Sequence, residues 1–277
     1  MKNQPGNLPM KCSICVQCGQ QFTASAQPPP SCPICEDSRQ YVRWDGQAWT
    51  DHEELARRHC LDWRDDLGVV GIGVEPSFAI GQRALLIQEA DGCVMWDCTP
   101  LVTAEAVERI KTLGGLKGIA ISHPHYYSAM IEWSDAFNGA PIYLHADDRE
   151  WVMRPSPSIV HWTGETRPLS PALTLIRCGG HFTGATMMHW SAGADGKGAL
   201  FAGDIAAVAE DRRHVSFMYA YPNLIPLNAT AVRRVQAAVS PFAFDRIYGA
   251  WWNRNVAADG RAAFDASVDR YLGAIAG

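Results

Sequence analysis

The sequence predicts a mixed α/β (α+β) chain in which two sheets face each other with helices outside, preceded by a small metal-stapled unit. Three observations predict it. Two apolar runs, residues 83–89 and 93–97, flank the turn tripeptide Ala90-Asp91-Gly92 and read as a hairpin. Beyond them, strand-length apolar runs alternate with amphipathic helical stretches to the end of the chain. Ahead of them, two C-x-x-C pairs crowd the first 35 residues.

A length of 277 residues suits one large domain plus an appendage, and 47% hydrophobic residues with ten tryptophans support a sizeable core. A formal charge of -5 and a pI near 6.0 give no general affinity for nucleic acid. No apolar run approaches the ~18 residues of a membrane span, and residues 1–9 lack the apolar stretch of a secretory signal. Nine cysteines, five of them between Cys12 and Cys35, point to metal chemistry in a reducing compartment, so a cytoplasmic location is expected.

Residues 1–45 form the first unit. Cys15-Val16-Gln17-Cys18-Gly19 and Cys32-Pro33-Ile34-Cys35 are two knuckles, each able to grip one side of a tetrahedral ion, with a Pro-rich loop between them. Cys12 stands three before Cys15 and offers an alternative first pair; Gly19, which permits the tight turn after a knuckle, favours Cys15 and Cys18. A unit this small needs a staple, and one structural zinc on Cys15, Cys18, Cys32 and Cys35 would supply it. The unit resembles a zinc ribbon. Residues 46–66 read as a polar bridge with one short helix over 53–60, on which His52 and His59 are expected to be exposed.

The main unit is expected over 67–277. Thr103 caps a helix that Gly114 ends, and a strand then leads into His123-Pro124-His125. Helices follow at about 129–137 and 148–153, the latter capped by Asp147 and Asp148. Strands are expected at 141–145, 159–162, 173–178, 185–190, 199–202 and 246–249, with an Asn228-capped helix to about Val239 and a terminal helix over 261–275.

Three strand ends carry the chemistry. His123 and His125 end one, Cys178-Gly179-Gly180-His181 follows another, and Leu200-Phe201-Ala202-Gly203-Asp204 is an apolar run stopping at a carboxylate. Three imidazoles and a carboxylate suit zinc or iron. His145, His161, His189 and His214 read as structural, and Cys178 as a small buried residue. The run 217–222 is aromatic enough either to line a pocket or to fill a core.

In their order, the hairpin start, H-x-H after a strand, the G-H-x-x-G turn and the G-D strand end resemble the metallo-β-lactamase-fold superfamily over residues 67–277. That resemblance implies an αββα four-layer sandwich and metal-dependent hydrolysis, with His123, His125 and His181 as ligands of a first metal and Asp204 at the usual bridging position. The family pattern H-x-H-x-D-H reads here His123-Pro124-His125-Tyr126-Tyr127-Ser128, and the last family histidine falls within Tyr248-Gly249-Ala250-Trp251-Trp252. The second-metal ligands are therefore missing, and one zinc or iron is expected in the main unit.

The expectation is a hydrolase acting on a small-molecule ester, thioester or lactone, with Asp204 able to swing away as base and Tyr127 donating to the oxyanion. The aromatic residues at the second-site positions are expected to fill that volume, with Tyr127 able to ligate a trivalent iron. The alternative is a non-hydrolytic iron-dependent oxidative enzyme or a metal-binding protein on a degenerate scaffold. No membrane or nucleic-acid partner is expected, and the sequence leaves the oligomeric state open.

Overall fold

Period-two alternation along the strands builds three apolar layers at once. Along Ala84–Glu89 and Gly92–Trp96, Leu85, Ile87, Val94 and Trp96 face one way while Leu86, Cys93 and Met95 face the other. The same split recurs in Thr186–Trp190 and Ala199–Gly203, where Met188, Ala199 and Phe201 turn toward the first sheet and Met187, Leu200 and Ala202 away from it. The inward sets meet in a central layer that includes Leu175, Trp162 and a stacked Phe201–Tyr248 pair with centroids 4.7 Å apart. The outward sets are covered by helices, which makes an αββα sandwich.

The computed structural model describes residues 10–276, so the reading of residues 1–9 lies outside the described residues. The first sheet has seven strands in sequential order, Cys60–Asp66, Val69–Glu75, Ala84–Glu89, Gly92–Trp96, Leu116–Ala120, Ile142–His145 and Ile159–Trp162. Its first four pair antiparallel and its last four parallel. Ala104–Thr112, capped by Thr103, and Met130–Asp135 pack on its outer face through Ala106, Ile110, Met130 and Trp133. The second sheet runs Thr166–Pro168, Leu173–Arg177, Thr186–Trp190, Ala199–Gly203, Arg246–Gly249 and Asn255–Val256. Ala229–Val239 and Gly260–Ile275 cover it through Val232, Val235, Phe264 and Val268. Among the described residues no helix is long and apolar enough to cross a membrane.

The stretch 46–66 is no mere bridge. Trp49–Thr50 pairs antiparallel with Ile14–Cys15 in the N-terminal unit, and Cys60–Asp66 is the edge strand of the seven-stranded sheet. Between them a helix spans His52–Arg58, capped by Asp51, so the expected helix over 53–60 ends before Cys60. His52 and His59 are half-buried: His52 Nε2 accepts from the Val102 amide at 3.1 Å, and His59 Nδ1 lies 2.7 Å from the Pro76 carbonyl. Asp147 and Asp148 do not cap the turn Ala146–Trp151. The His145 ring takes that place by accepting from the Asp147 amide, while Asp148 is buried against the Gly184 amide at 2.7 Å.

The N-terminal unit sits directly on the sandwich. Gln21 Nε2 donates to Glu132 at 2.7 Å, Arg154 bridges the same two side chains, and Arg39 Nη1 donates to the His181 carbonyl at 3.2 Å.

Candidate metal centre

The strand Leu116–Ala120 lies inside the first sheet, and Pro124 opens a single 3-10 turn, Pro124–Tyr126, just beyond its end. His123, still extended, and His125, one turn along, therefore point to one place. The second sheet reaches that place through Gly203, whose φ of +57° is left-handed and where a Cβ would stand 2.9 Å from Ser122 Oγ. Only glycine lets the two strand ends come this close, and Asp204 follows at once. His181 arrives from the loop after Leu173–Arg177.

His123, His125, His181 and Asp204 each offer a ligand atom, all within 4.8 Å of one another. His123 Nε2 stands 3.2 Å from Asp204 Oδ1, and His181 Nε2 stands 3.2 Å from His125 Nδ1. Behind the ring atoms, His123 Nδ1 meets Ser122 Oγ at 2.9 Å and His181 Nδ1 meets the Met218 carbonyl at 3.2 Å. The Met218 carbonyl can only accept, so it fixes the His181 proton on Nδ1 and turns the Nε2 lone pair inward. Ser122 sits where it can do the same for His123. Ser122 is itself held by its amide, which donates to Asp97 Oδ1 at 2.8 Å.

Burial pushes all three imidazoles below their ordinary value; His181 and Arg39 add to this at His123 and His125, and at His181 burial outweighs the opposing pull of Asp204, so the rings are neutral and fit to ligate. Burial raises the Asp204 carboxyl, against the pull of His181 and the nearby Tyr126 hydroxyl. His123 Nε2 and Asp204 Oδ1 are buried without a hydrogen-bond partner. Inward lone pairs beside an unpartnered carboxylate oxygen repel one another, and a divalent cation reverses every one of these costs. The donor set fits zinc or iron.

A second cluster lies in the N-terminal unit. Cys15 and Cys35 Sγ are 3.6 Å apart, as are Cys18 and Cys32 Sγ, and Cys12 is outside the group. A tetrahedral zinc with ~2.3 Å bonds sets sulfurs about 3.8 Å apart, whereas a disulfide needs about 2.05 Å. Burial drives the Cys18 thiol well above its ordinary range, so four thiolates here need a cation. Gln47 Nε2 donates to Cys15 Sγ at 3.2 Å. The cluster fits a zinc ribbon.

A cavity of about 200 Å³ opens onto His125, His181 and Asp204. Ala79, Ile80, Tyr221, Pro222 and Trp251 form its main-domain walls, and Gln17, Arg39, Gln40 and Tyr41 of the ribbon close it. Tyr221 is thus the one aromatic of the 217–221 run to reach it, while Phe217 is in the core behind the second sheet.

Tyr127 does not line this cavity. The 3-10 turn aims Tyr126 at the centre, its ring 4.4 Å from that of His123, and sends Tyr127 back into the outer core, 1% exposed. The oxyanion and iron-ligand roles expected of Tyr127 therefore have no geometric basis. Ser128 turns away to the ribbon, donating to the Gly19 carbonyl at 3.4 Å. Trp251 lines the cavity, whereas Trp252 lies over Gly71 and Gly73 beside Arg64. His145, His189 and His214 contact backbone carbonyls or Asp211, apart from the centre.

Sequence reasoning missed Asp97, Tyr126 and the four ribbon residues. Asp97 carried the same signal as Asp204, an apolar strand ending in a carboxylate. Arg39 carried none: it stacks 3.7 Å over Phe182 and grips Asp37 with Nε and Nη2, contacts that only the folded chain creates.

No family model matches the chain. The uncharacterised protein YmaE of Bacillus subtilis (strain 168) is 47% identical over 265 residues, covering 95% of this chain and 96% of that one. Among solved structures, TMB-1 superposes with a TM-score of 0.58 at 15% identity, covering 78% of this chain and 99% of its own. The DIM-1 metallo-β-lactamase gives 0.56 at 15% over 77% and 97%. The mono-zinc form of the metallo-β-lactamase FIM-1 from Pseudomonas aeruginosa gives 0.56 at 14% over 77% and 95%. The likenesses to solved structures show the metallo-β-lactamase fold, and the near full-length likeness to YmaE fixes the family: the chain belongs to the same family as YmaE.

Proposed function

We propose that the protein is a hydrolase that uses one zinc ion in the main domain against a small ester, thioester or lactone carbonyl. The observation that carries this reading is the convergence of three neutral imidazoles and one carboxylate on the floor of a small cavity. Zinc held there polarises a carbonyl and lowers the pKa of water to about 7. His123, His125 and His181 would hold it, with Asp204 as fourth ligand or, when displaced, as proton acceptor. Ala79, Ile80 and Trp251 keep the space apolar, which strengthens every electrostatic contact inside it. The second-site positions offer only Tyr127, Ser128 and the Trp251–Trp252 pair, which supports one ion rather than two. FIM-1, of the same fold, has a mono-zinc form.

The same donor set also suits iron and oxidative, non-hydrolytic chemistry. Metal analysis after anaerobic purification separates the two readings. Nine cysteines, none of them paired, support the cytoplasm as location. The function is tested by screening the zinc-loaded chain against ester, thioester and lactone panels, where turnover is expected. Activity no greater than that of a His123→Ala/His181→Ala control overturns it.

A further inference from the structure

Above the floor of His125, His181 and Asp204, the polar wall of the cavity comes from the ribbon. Of the main-domain walls, the Tyr221 hydroxyl already donates to the Asp204 carbonyl at 2.5 Å, and Trp251 Nε1 to the Ile80 carbonyl at 2.9 Å. Neither has a donor left for a ligand. In the ribbon, Arg39 is largely committed, with Nε and Nη2 on Asp37 and Nη1 on the His181 carbonyl. Gln17 and Gln40 line the same cavity, and neither side-chain amide makes a hydrogen bond among the described residues.

The backbones that carry both amides are anchored before any ligand arrives. Gln17 lies inside the first knuckle, whose turn closes through the Gly19 amide on the Cys15 carbonyl at 2.8 Å. Gly19, at φ +78°, sits so close to the sandwich that a Cβ there would stand 3.2 Å from that of Ala79. Gln40 is fixed through its backbone, with its amide on the Asp37 carbonyl at 2.9 Å and its carbonyl accepting from Asn223 Nδ2 at 3.0 Å. With the backbone already fixed, only the side-chain rotamers remain to be ordered on binding.

We propose that the ribbon is the ligand-reading wall of this site, with Gln17 and Gln40 as specificity-determining residues for a substrate carrying a neutral amide beside its reacting carbonyl. The inference rests on the hydrolytic reading above and gives it a substrate class. A primary amide donates and accepts, so it matches a neutral amide on both counts. A carboxylate would need an uncommitted cation, and the one guanidinium at the wall is taken up by Asp37. At about 200 Å³ the space falls below the ~300–1,000 Å³ of most small-molecule sites, so only a short substrate segment is enclosed.

The test is calorimetry on the full-length, zinc-loaded chain with three hydroxamates matched in size, each anchored on the metal through its two oxygens. N-acetylglycine hydroxamate carries a neutral amide, 4-methylpentanohydroxamate is its apolar isostere, and succinohydroxamate is anionic. The amide probe is expected to bind roughly tenfold tighter than either of the others. Gln17→Leu/Gln40→Leu should abolish that preference while the apolar probe's affinity and the metal content stay unchanged. If the double variant loses ribbon metal, the single variant Gln17→Leu, with its metal retained, should lose most of the preference. A wild-type preference for the apolar or anionic probe overturns the inference, as does a preference that survives in the variants. Binding needs no turnover, so an intact preference in a chain that hydrolyses nothing sinks the hydrolytic reading alone.

Discussion

The two metal clusters differ in what surrounds four buried ligands. Around Cys15, Cys18, Cys32 and Cys35 the neighbours include Phe22, Ile34 and Trp49, with Gln47 donating to Cys15, and all four cysteines are buried. Around His123, His125, His181 and Asp204 the neighbours include Phe182, Tyr126 and Ser122, and the cluster opens to a cavity. Burial of the ligands is the same in both, so burial does not separate a staple from a reaction site. The open side does, together with donor chemistry: four thiolates hold zinc shut in, while imidazole and carboxylate leave it able to take a further ligand. The clusters are also joined, because Arg39 of the ribbon holds the His181 carbonyl and stacks on Phe182.

Breaking the open cluster should have the largest effect. His123→Ala/His181→Ala is expected to bring hydrolysis down to the uncatalysed background and to release the main-domain metal while the ribbon keeps its own; turnover with metal analysis checks both. Breaking the closed cluster should cost stability first. Cys32→Ser/Cys35→Ser is expected to lose the ribbon metal and several kcal/mol of local stability, seen as faster hydrogen exchange over residues 12–45, with the main-domain metal retained. Retention of the full metal content would remove the ribbon assignment.

How much of this was legible follows from the range of the signals. Strand ends carrying His123, His125 and Asp204 are local patterns, and the layered alternation of Leu85, Leu86 and Ile87 is local too. The first two strands of the seven-stranded sheet were not. Val69–Glu75 is broken by Gly71 and Gly73, which leave room for Trp252, and Cys60–Asp66 is studded with edge charges, so neither reads as strand. Tyr126 and Tyr127 look equivalent in sequence, and only the 3-10 turn after Pro124 decides which one meets His123. Arg39 and His181 are 142 residues apart, and no local rule joins them.

A smaller effect should follow from cutting the link between the clusters. Burial raises the Asp37 carboxyl, and the Arg39 fork outweighs that and holds it below its ordinary value. Arg39→Ala strands this half-buried carboxylate and is expected to cost about 1–3 kcal/mol in urea unfolding. KM should rise more than kcat falls, because the cavity wall loosens while the ligands stay.

The smallest effect tests the floor beneath the site. Asp148 is buried and its carboxyl is pushed up to about 6, above its unfolded value. A raised folded pKa means the native state binds the proton more tightly, so stability falls as pH rises from about 4 to 6 and levels off above that. Asp148→Asn keeps an acceptor for the Gly184 amide and is expected to flatten that slope. It should also gain about 1–2 kcal/mol at pH 8 relative to the parent, read from denaturation midpoints across the pH series.

The central claim, one closed and one open cluster with a single ion each, is tested most directly by native mass spectrometry of the intact, metal-loaded chain. The account predicts two tightly held ions in all, falling to one in Cys32→Ser/Cys35→Ser and to one in His123→Ala/His181→Ala. A third tightly held ion that survives in the cysteine variant would place a second metal in the main domain and contradict it.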